Sequence, residues 1–186
     1  MPRAGLTSDA VVDVALALVD EKGPEALSLA AVADRAGVAA PSLYKHVGSL
    51  AALRDLMAIK IMHAMARAAA SAAVGRSHDD AVAALMRAYR DFVLAHPGWY
   101  ALVPLDPLHR GPAAMAEAGR ALLEVIVAVL RGYGLDDAAA THATRRIRAT
   151  VHGFSVLQAG GGFGLAEDVE ETYDQLIAMV TASLPH

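Results

Sequence analysis

Apolar residues recur along this chain at helical spacing, and no stretch alternates as a strand would, so the pattern predicts helices throughout. Val11, Ala15, Leu18 and Val19 mark one face of a helix over 8–22, with Thr7 as its N-cap and Gly23 and Pro24 as its stop. Residues 28–47, SLAAVADRAGVAAPSLYKHV, read as two short helices joined by a tight turn. Ser28 caps the first of these, and Leu29, Val32, Ala33 and Ala36 form its apolar stripe. Gly37 supplies the conformational freedom for the bend and Val38 plugs the corner. The second short helix starts near Ala39, with Pro41 in its first turn, where a missing N–H does little harm.

Gly48 and Ser49 break the chain and open a helix that runs through Leu53, Leu56, Met57 and Ile61 to about residue 71. A loop around 75–77 follows. The next helix, over 79–95, carries Val82, Leu85, Met86, Tyr89, Phe92 and Val93 at helical spacing. His96, Pro97 and Gly98 end it, and 99–112 is rich in proline, reading as a short helix plus a loop. The helix over 113–131 is apolar on most sides through Leu122, Leu123, Ile126, Val127 and Leu130, and is expected to be central. Two more helices are predicted over 136–159, stopped by the glycines at 160–162, and over 167–184, with Val169, Tyr173, Leu176, Ile177 and Val180 inward. The expectation is an all-α protein of about nine helices. A helix-turn-helix head covers 1–50, the helix over 49–71 connects it, and a body covers 51–186.

Composition narrows the function. Of 186 residues, 55% are hydrophobic and 19% charged, a balance that favours a folded helical chain over disorder. The absence of cysteine excludes disulfides and thiolate metal sites and is compatible with a reducing cytoplasm. The most apolar run, ALLEVIVAVL at 121–130, carries Glu124 and is half the ~20 residues that span a bilayer. The first residues lack a basic start followed by an apolar run, so a cytoplasmic protein without a membrane partner is expected. Net charge is −4, and residues 1–50 set Arg3, Lys22, Arg35 and Lys45 against Asp9, Asp13, Asp20, Glu21, Glu25 and Asp34. That balance runs against the basic patch common in nucleic-acid binders and predicts weak non-specific binding with a shallow salt dependence.

Ser42, Tyr44, Lys45 and His46 nevertheless place polar atoms over two turns of the second short helix, the kind of surface that phosphates and base edges require. An ordinary helical hairpin fits the pattern too. From Thr7 to about Met57 the chain resembles the tetracycline-repressor (TetR) family. The resemblance is carried by Glu21, Lys22 and Gly23 closing the first helix, LSLAAVADRAGV, APSLYKHV, and the helix opening at Ser49. It implies that the second short helix enters the DNA major groove with Ala39, Ala40, Pro41 and Ser42 at base edges. None of these makes the bidentate bonds of arginine or glutamine, so specificity leans on close approach, thymine methyls and DNA shape. Tyr44, Lys45 and His46 suit phosphate, as do the hydroxyls of Thr7 and Ser28 at the helix starts they cap. Tyr44 also fits a core position, and His46 an exposed polar one. Many family members carry lysine two residues after the position of Gly48; Leu50 stands there in this chain, with Arg54 and Arg3 as replacements.

Farther on, HPGWYALV and RRIRATVHGFSVLQAGGGFG resemble a TetR-type C-terminal domain with a histidine–glycine pair. This implies a ligand pocket and a dimer interface in which the last two helices pair across a two-fold axis. Gly153 allows close approach there, and Phe154, Leu157, Tyr173 and Ile177 fill the seam. Pocket candidates are Trp99, Tyr100, His109, Met115, Arg148 and His152, a mix of aromatic walls and polar groups. Each has a structural alternative: Trp99 and Met115 as core, His152 as a buried histidine with local partners, Arg148 paired with an acid. The function implied is a homodimeric repressor on a near-palindromic operator of double-stranded DNA, released by a small-molecule effector, with no cofactor, catalytic residue or metal. Two other readings stay open. Leu50 and the acidic head fit a helical adaptor without DNA binding. His78 and Asp79 resemble the His–Asp pair of metal-dependent hydrolases, although acids are favoured at any helix start.

Overall fold

A computed structural model describes residues 6–185. Among these residues the regular structure is helical: α1 (Ser8–Lys22), α2 (Leu29–Ala36), α3 (Ala40–Val47), α4 (Leu50–Ala73), α5 (His78–Ala95), α6 (Pro97–Tyr100), α7 (Ala113–Leu130), α8 (Asp137–Ala159) and α9 (Val169–Ala182). The fold is all-α. No helix among the described residues is long and apolar enough to cross a membrane. Arg3 lies outside the described residues.

The helix ends follow from side chains that satisfy otherwise unpaired backbone groups. Thr7 accepts from the Ala10 N–H at 3.1 Å, Ser28 from Ala31 at 3.1 Å, Ser49 from Ala52 at 3.0 Å, and Asp136 from Ala139 at 2.8 Å. Such caps contribute about 1 kcal/mol each.

The chain forms two compact units. The first comprises the chain up to Met62 together with Gly98–Gly119. Within it α1 buries Val11, Val12, Ala15, Leu16, Leu18 and Val19. That stripe is wider than the four residues read from the sequence because α1 is covered from more than one side. It packs on α2 and α3, and Gly98 seats against Val19. Leu43 and Val47 of α3 and Leu53 and Met57 of α4 are buried as well, each adding roughly 1.5–3 kcal/mol of hydrophobic stabilisation. Leu56, expected on the same stripe, is exposed. Met115 and Ala118, from the start of α7, form a separate cluster with Ala58 and Met62 of α4.

The second unit comprises His63–Pro97 and the chain from Arg120 onward. Here α5 packs against α8 and α9. Tyr173 is completely buried, and its hydroxyl donates to the Met86 carbonyl at 2.6 Å. Arg90, unremarked in the sequence, is only 3% exposed. A buried guanidinium is tolerated when every face finds a partner. The Arg90 Nη1 donates to Glu170 at 2.7 Å, Nη2 donates to the other carboxylate oxygen, and Nε donates to Gln158 at 2.8 Å. The charge also lies 4.6 Å from the Tyr173 ring and 5.6 Å from that of Phe154.

One sequence expectation is corrected. The helix over 113–131 is not buried on most sides: Leu122, Leu123, Val125, Val127 and Val129 are half-exposed. Its buried positions are Met115, Ala118, Gly119, Ile126 and Leu130, a single stripe. Of the half-exposed positions, Val125 and Val129 line a cavity, described below.

The Arg90 hydrogen bond holds the Glu170 carboxyl below its ordinary range. The native carboxyl therefore titrates below its unfolded value of about 4.3, so the pair stabilises fully above that value and loses its contribution as pH falls through the depressed native one. Urea unfolding midpoints measured between about pH 3 and 6 are expected to fall less steeply with acid in Glu170→Gln than in the unmodified protein; parallel pH profiles would contradict this.

Candidate nucleic-acid interface

The bend between α2 and α3 is built as the sequence anticipates. Gly37 adopts φ 67°, ψ 33°, the left-handed region where a Cβ is disfavoured. Its N–H bonds the Asp34 carbonyl at 3.1 Å, and the Val38 N–H reaches back to Ala33 at 3.0 Å. These are the paired bonds of a Schellman closure, which ends α2 sharply and turns the chain. α3 then begins after Ala39, with Pro41 near its N-terminus and Gly48 closing it.

Inside α3 the sides separate cleanly. Leu43 and Val47 point into the unit. Ala39, Pro41 and Lys45 are exposed, Ala40, Ser42 and His46 half-buried. Tyr44 is 55% exposed and so is not a core residue. The His46 carbonyl accepts from the Ser8 hydroxyl at 2.8 Å, which pins the end of α3 to the start of α1. Residues separated by 38 positions gave no sequence signal of this contact. Thr7 and Ser28 are exposed at the starts of α1 and α2; each oxygen accepts a capping N–H, which leaves the hydroxyl proton to donate elsewhere.

The acidic balance of the head is partly consumed within it. Arg35 bonds Glu21 at 2.5 Å, and this hydrogen bond holds the Glu21 carboxyl below its usual range. Lys60 of α4 bonds Asp9 and Asp13, both at 2.7 Å. Partial burial works against the Lys60 charge, but the bonds to Asp13 and Asp9 outweigh it and hold the ammonium above its ordinary range. Among the described residues Lys45 has no ion-pair partner, so its charge stays available at the exposed side of α3. Leu50 is half-buried at the start of α4, and Arg54 is exposed one turn on.

The pocket candidates divide between the two units. Trp99, Tyr100, His109 and Met115 belong to the first unit, Arg148 and His152 to the second. Trp99 donates its indole N–H to the Leu16 carbonyl at 2.9 Å. Met115 is core, as its structural alternative had it, and Tyr100 is buried. His109 is an exposed loop residue whose ring nitrogen bonds Asp106 at 2.8 Å, which holds the Asp106 carboxyl below its usual range. Arg148 is exposed and His152 half-buried. The second unit instead holds a cavity of about 400 Å³ between the end of α4, the start of α5 and the end of α7, lined in part by Ala73, Val74, Ala81, Val125 and Val129. Alanine and valine at these places look like ordinary helix filler in a sequence, so nothing singled them out.

The seam candidates divide as well. Phe154, Tyr173 and Ile177 are buried within the protomer, because α8 and α9 turn those sides toward each other and α5. They are core rather than seam. Gly153 is half-buried with open space where a Cβ would stand, and Leu157 is 54% exposed. The exposed apolar residues Val156 and Met179 were missed.

Asp79 is engaged by the Tyr133 hydroxyl at 2.7 Å, and the His78 ring meets Tyr133 edge-on at 5.3 Å. The pair thus closes the start of α5 against Tyr133. Among the described residues no group of three or more His, Cys, Asp or Glu is arranged to hold a metal ion.

Comparison with known proteins agrees with this geometry. Residues 11–56 match the family described as bacterial regulatory proteins, tetR family, and residues 82–180 match the tetracyclin repressor-like C-terminal domain. The chain is 33% identical to the uncharacterized HTH-type transcriptional regulator YobS of Bacillus subtilis, across 92% of this chain and 88% of that one. A protein of unknown function from Rhodococcus sp. RHA1 has the same fold, with a TM-score of 0.84 at 24% identity over 100% of this chain and 98% of its own. So does the TetR family protein ActR of Streptomyces coelicolor, solved in complex with (S)-DNPA, with a TM-score of 0.70 at 22% identity over 96% of each chain. These matches describe a regulator of transcription and not an enzyme. The chain belongs to the TetR family of DNA-binding transcriptional regulators.

Proposed function

We propose that the protein is a homodimeric, ligand-responsive repressor that reads a near-palindromic operator with two copies of α3. The observation that carries this reading is the exposed side of α3, where Tyr44 and Lys45 project beside the short residues Ala39–Ser42. Short side chains let the helix approach base edges to van der Waals distance, while Tyr44, Lys45 and His46 serve phosphates. The hydroxyls of Thr7 and Ser28 add donors at helix starts, where the helix dipole favours an anion. Two recognition helices separated by one DNA turn, roughly 34–36 Å, suit a two-fold operator.

The second copy is supported by the outer sides of α8 and α9. Ala149, Gly153, Val156 and Leu157 recur along α8 at helical spacing, and Met179 is exposed on α9. A two-fold interface that pairs α8 and α9 with those of the other copy covers these apolar residues.

The cavity beside α7 supports a small, largely apolar effector, and the ligand-bound ActR structure supports a small molecule in a related fold. Release follows if the effector binds more tightly to a conformation in which the two α3 helices no longer match the operator. A DNA target of this kind implies a cytoplasmic location.

Selection of bound fragments from genomic or random DNA is expected to return a near-palindrome. Titrated against it, Lys45→Ala weakens binding almost uniformly across sequences and reduces the slope of log affinity against log salt by about one; failure to enrich any duplex, or an unchanged slope, contradicts the assignment. Sedimentation is expected to show a dimer that Leu157→Asp converts to a monomer of unchanged helical circular dichroism, since the residue is exposed in the protomer and a carboxylate is costly only in a buried seam. A variant that stays dimeric contradicts that seam.

A further inference from the structure

Along its length α1 is tied to three other helices of its unit. Near its start Ser8 donates to the His46 carbonyl of α3, and Asp9 and Asp13 hold Lys60 of α4. One turn beyond Asp13, the Trp99 indole of α6 donates to the Leu16 carbonyl at 2.9 Å. A carbonyl in the middle of a helix already accepts the N–H four residues on, so this bond uses its second lone pair. Beside it Gly98 stands so close to α1 that a Cβ would lie 3.0 Å from Val19 Cγ1 and 3.1 Å from the Val19 carbonyl oxygen. A donor and a missing side chain at adjacent positions thus fit one surface of α1.

We infer that Gly98 and Trp99 are positioning residues for DNA recognition: they fix α1 and, through the Ser8–His46 bond, set the seating of α3 in the groove. The inference rests on the reading that α3 enters the major groove. Neither residue touches DNA in this account. Readout by Ala39–Ser42 depends on van der Waals approach to base edges, so a few tenths of an ångström at α3 matter to specific binding. Attraction to phosphates falls off gently with distance and tolerates the same displacement.

The placement also suits regulation. The segment Gly98–Gly119 is grouped with the head, yet in sequence it is separated from α5 by two residues and includes the start of α7. Ala81 of α5 and Val125 and Val129 of α7 line the cavity proposed for the effector. A rearrangement of those helices has a covalent path to both ends of the segment that holds α1.

The test uses the full chain, the operator recovered by selection and a scrambled duplex of equal length, well below the unfolding temperature. Trp99→Phe keeps an aromatic ring and deletes the donor; Gly98→Ala adds the crowding methyl. Each is expected to lower specific affinity about three- to tenfold, the range for losing one hydrogen bond, with non-specific affinity and the salt slope unchanged. Specific affinity that stays at the unmodified level in both variants overturns the inference, even if the unfolding temperature drops, because the residues are then merely structural. Equal losses on both duplexes overturn it too. If the unmodified protein binds no duplex, the DNA reading fails along with it; if it binds and both variants match it, only the positioning role fails. Should Gly98→Ala not fold, Trp99→Phe alone decides.

Discussion

The seating of α1 is the constraint on which the head depends. α3 is only two turns long and buries just Leu43 and Val47, too little to fix its own direction. Its pose is borrowed. α1 supplies the wall against which α2 and α3 pack, and the Ser8 hydroxyl bonds the last turn of α3. α1 in turn is held from outside by Lys60 and by the Gly98–Trp99 pair. A short recognition helix that carries few charges needs this rigidity more than a long basic one does, because its selectivity comes from fit rather than from bidentate hydrogen bonds.

The same ties bear on charge. Counted along the chain, the head is acidic, which argues against a polyanionic partner. In the structure Asp9, Asp13 and Glu21 are spent on Lys60 and Arg35, while Lys45, on the exposed side of α3, has no ion-pair partner among the described residues. Charge counting treats every residue as equally placed, whereas a phosphate feels chiefly what lies within a Debye length of about 8–10 Å. Leu50, where many family members carry lysine, keeps the expected electrostatic contribution modest.

Local signals were legible in the sequence. Thr7, Ser28 and Ser49 announce their helices because capping is a contact between near neighbours, and Gly37 with Val38 announces the bend for the same reason. Long-range pairings were not. Nothing at Arg90 foretells a buried charge, since its partners lie 68 and 80 positions away. Periodicity told that Tyr173 and Ile177 lie on an apolar stripe, but not whether the stripe faces its own protomer or another copy. Trp99 looked like a pocket wall because a large aromatic ring suits that role equally well; the Leu16 carbonyl that engages its N–H is 83 positions away. The half-exposed valines of α7 misled in the opposite sense, as an apolar helix that borders a cavity reads like one that is buried.

Amide hydrogen exchange on the unmodified protein tests most directly whether α1, α3 and the Gly98–Gly119 segment form one mechanical piece. Cooperative units open together, with a shared opening free energy. The account requires the slowest amides of α1, α3 and the segment around Trp99 to share one opening free energy and to respond in parallel to low urea. Amides near Trp99 that exchange orders of magnitude faster than those of α1, with α1 still protected, would show that α1 is held without them and would contradict it.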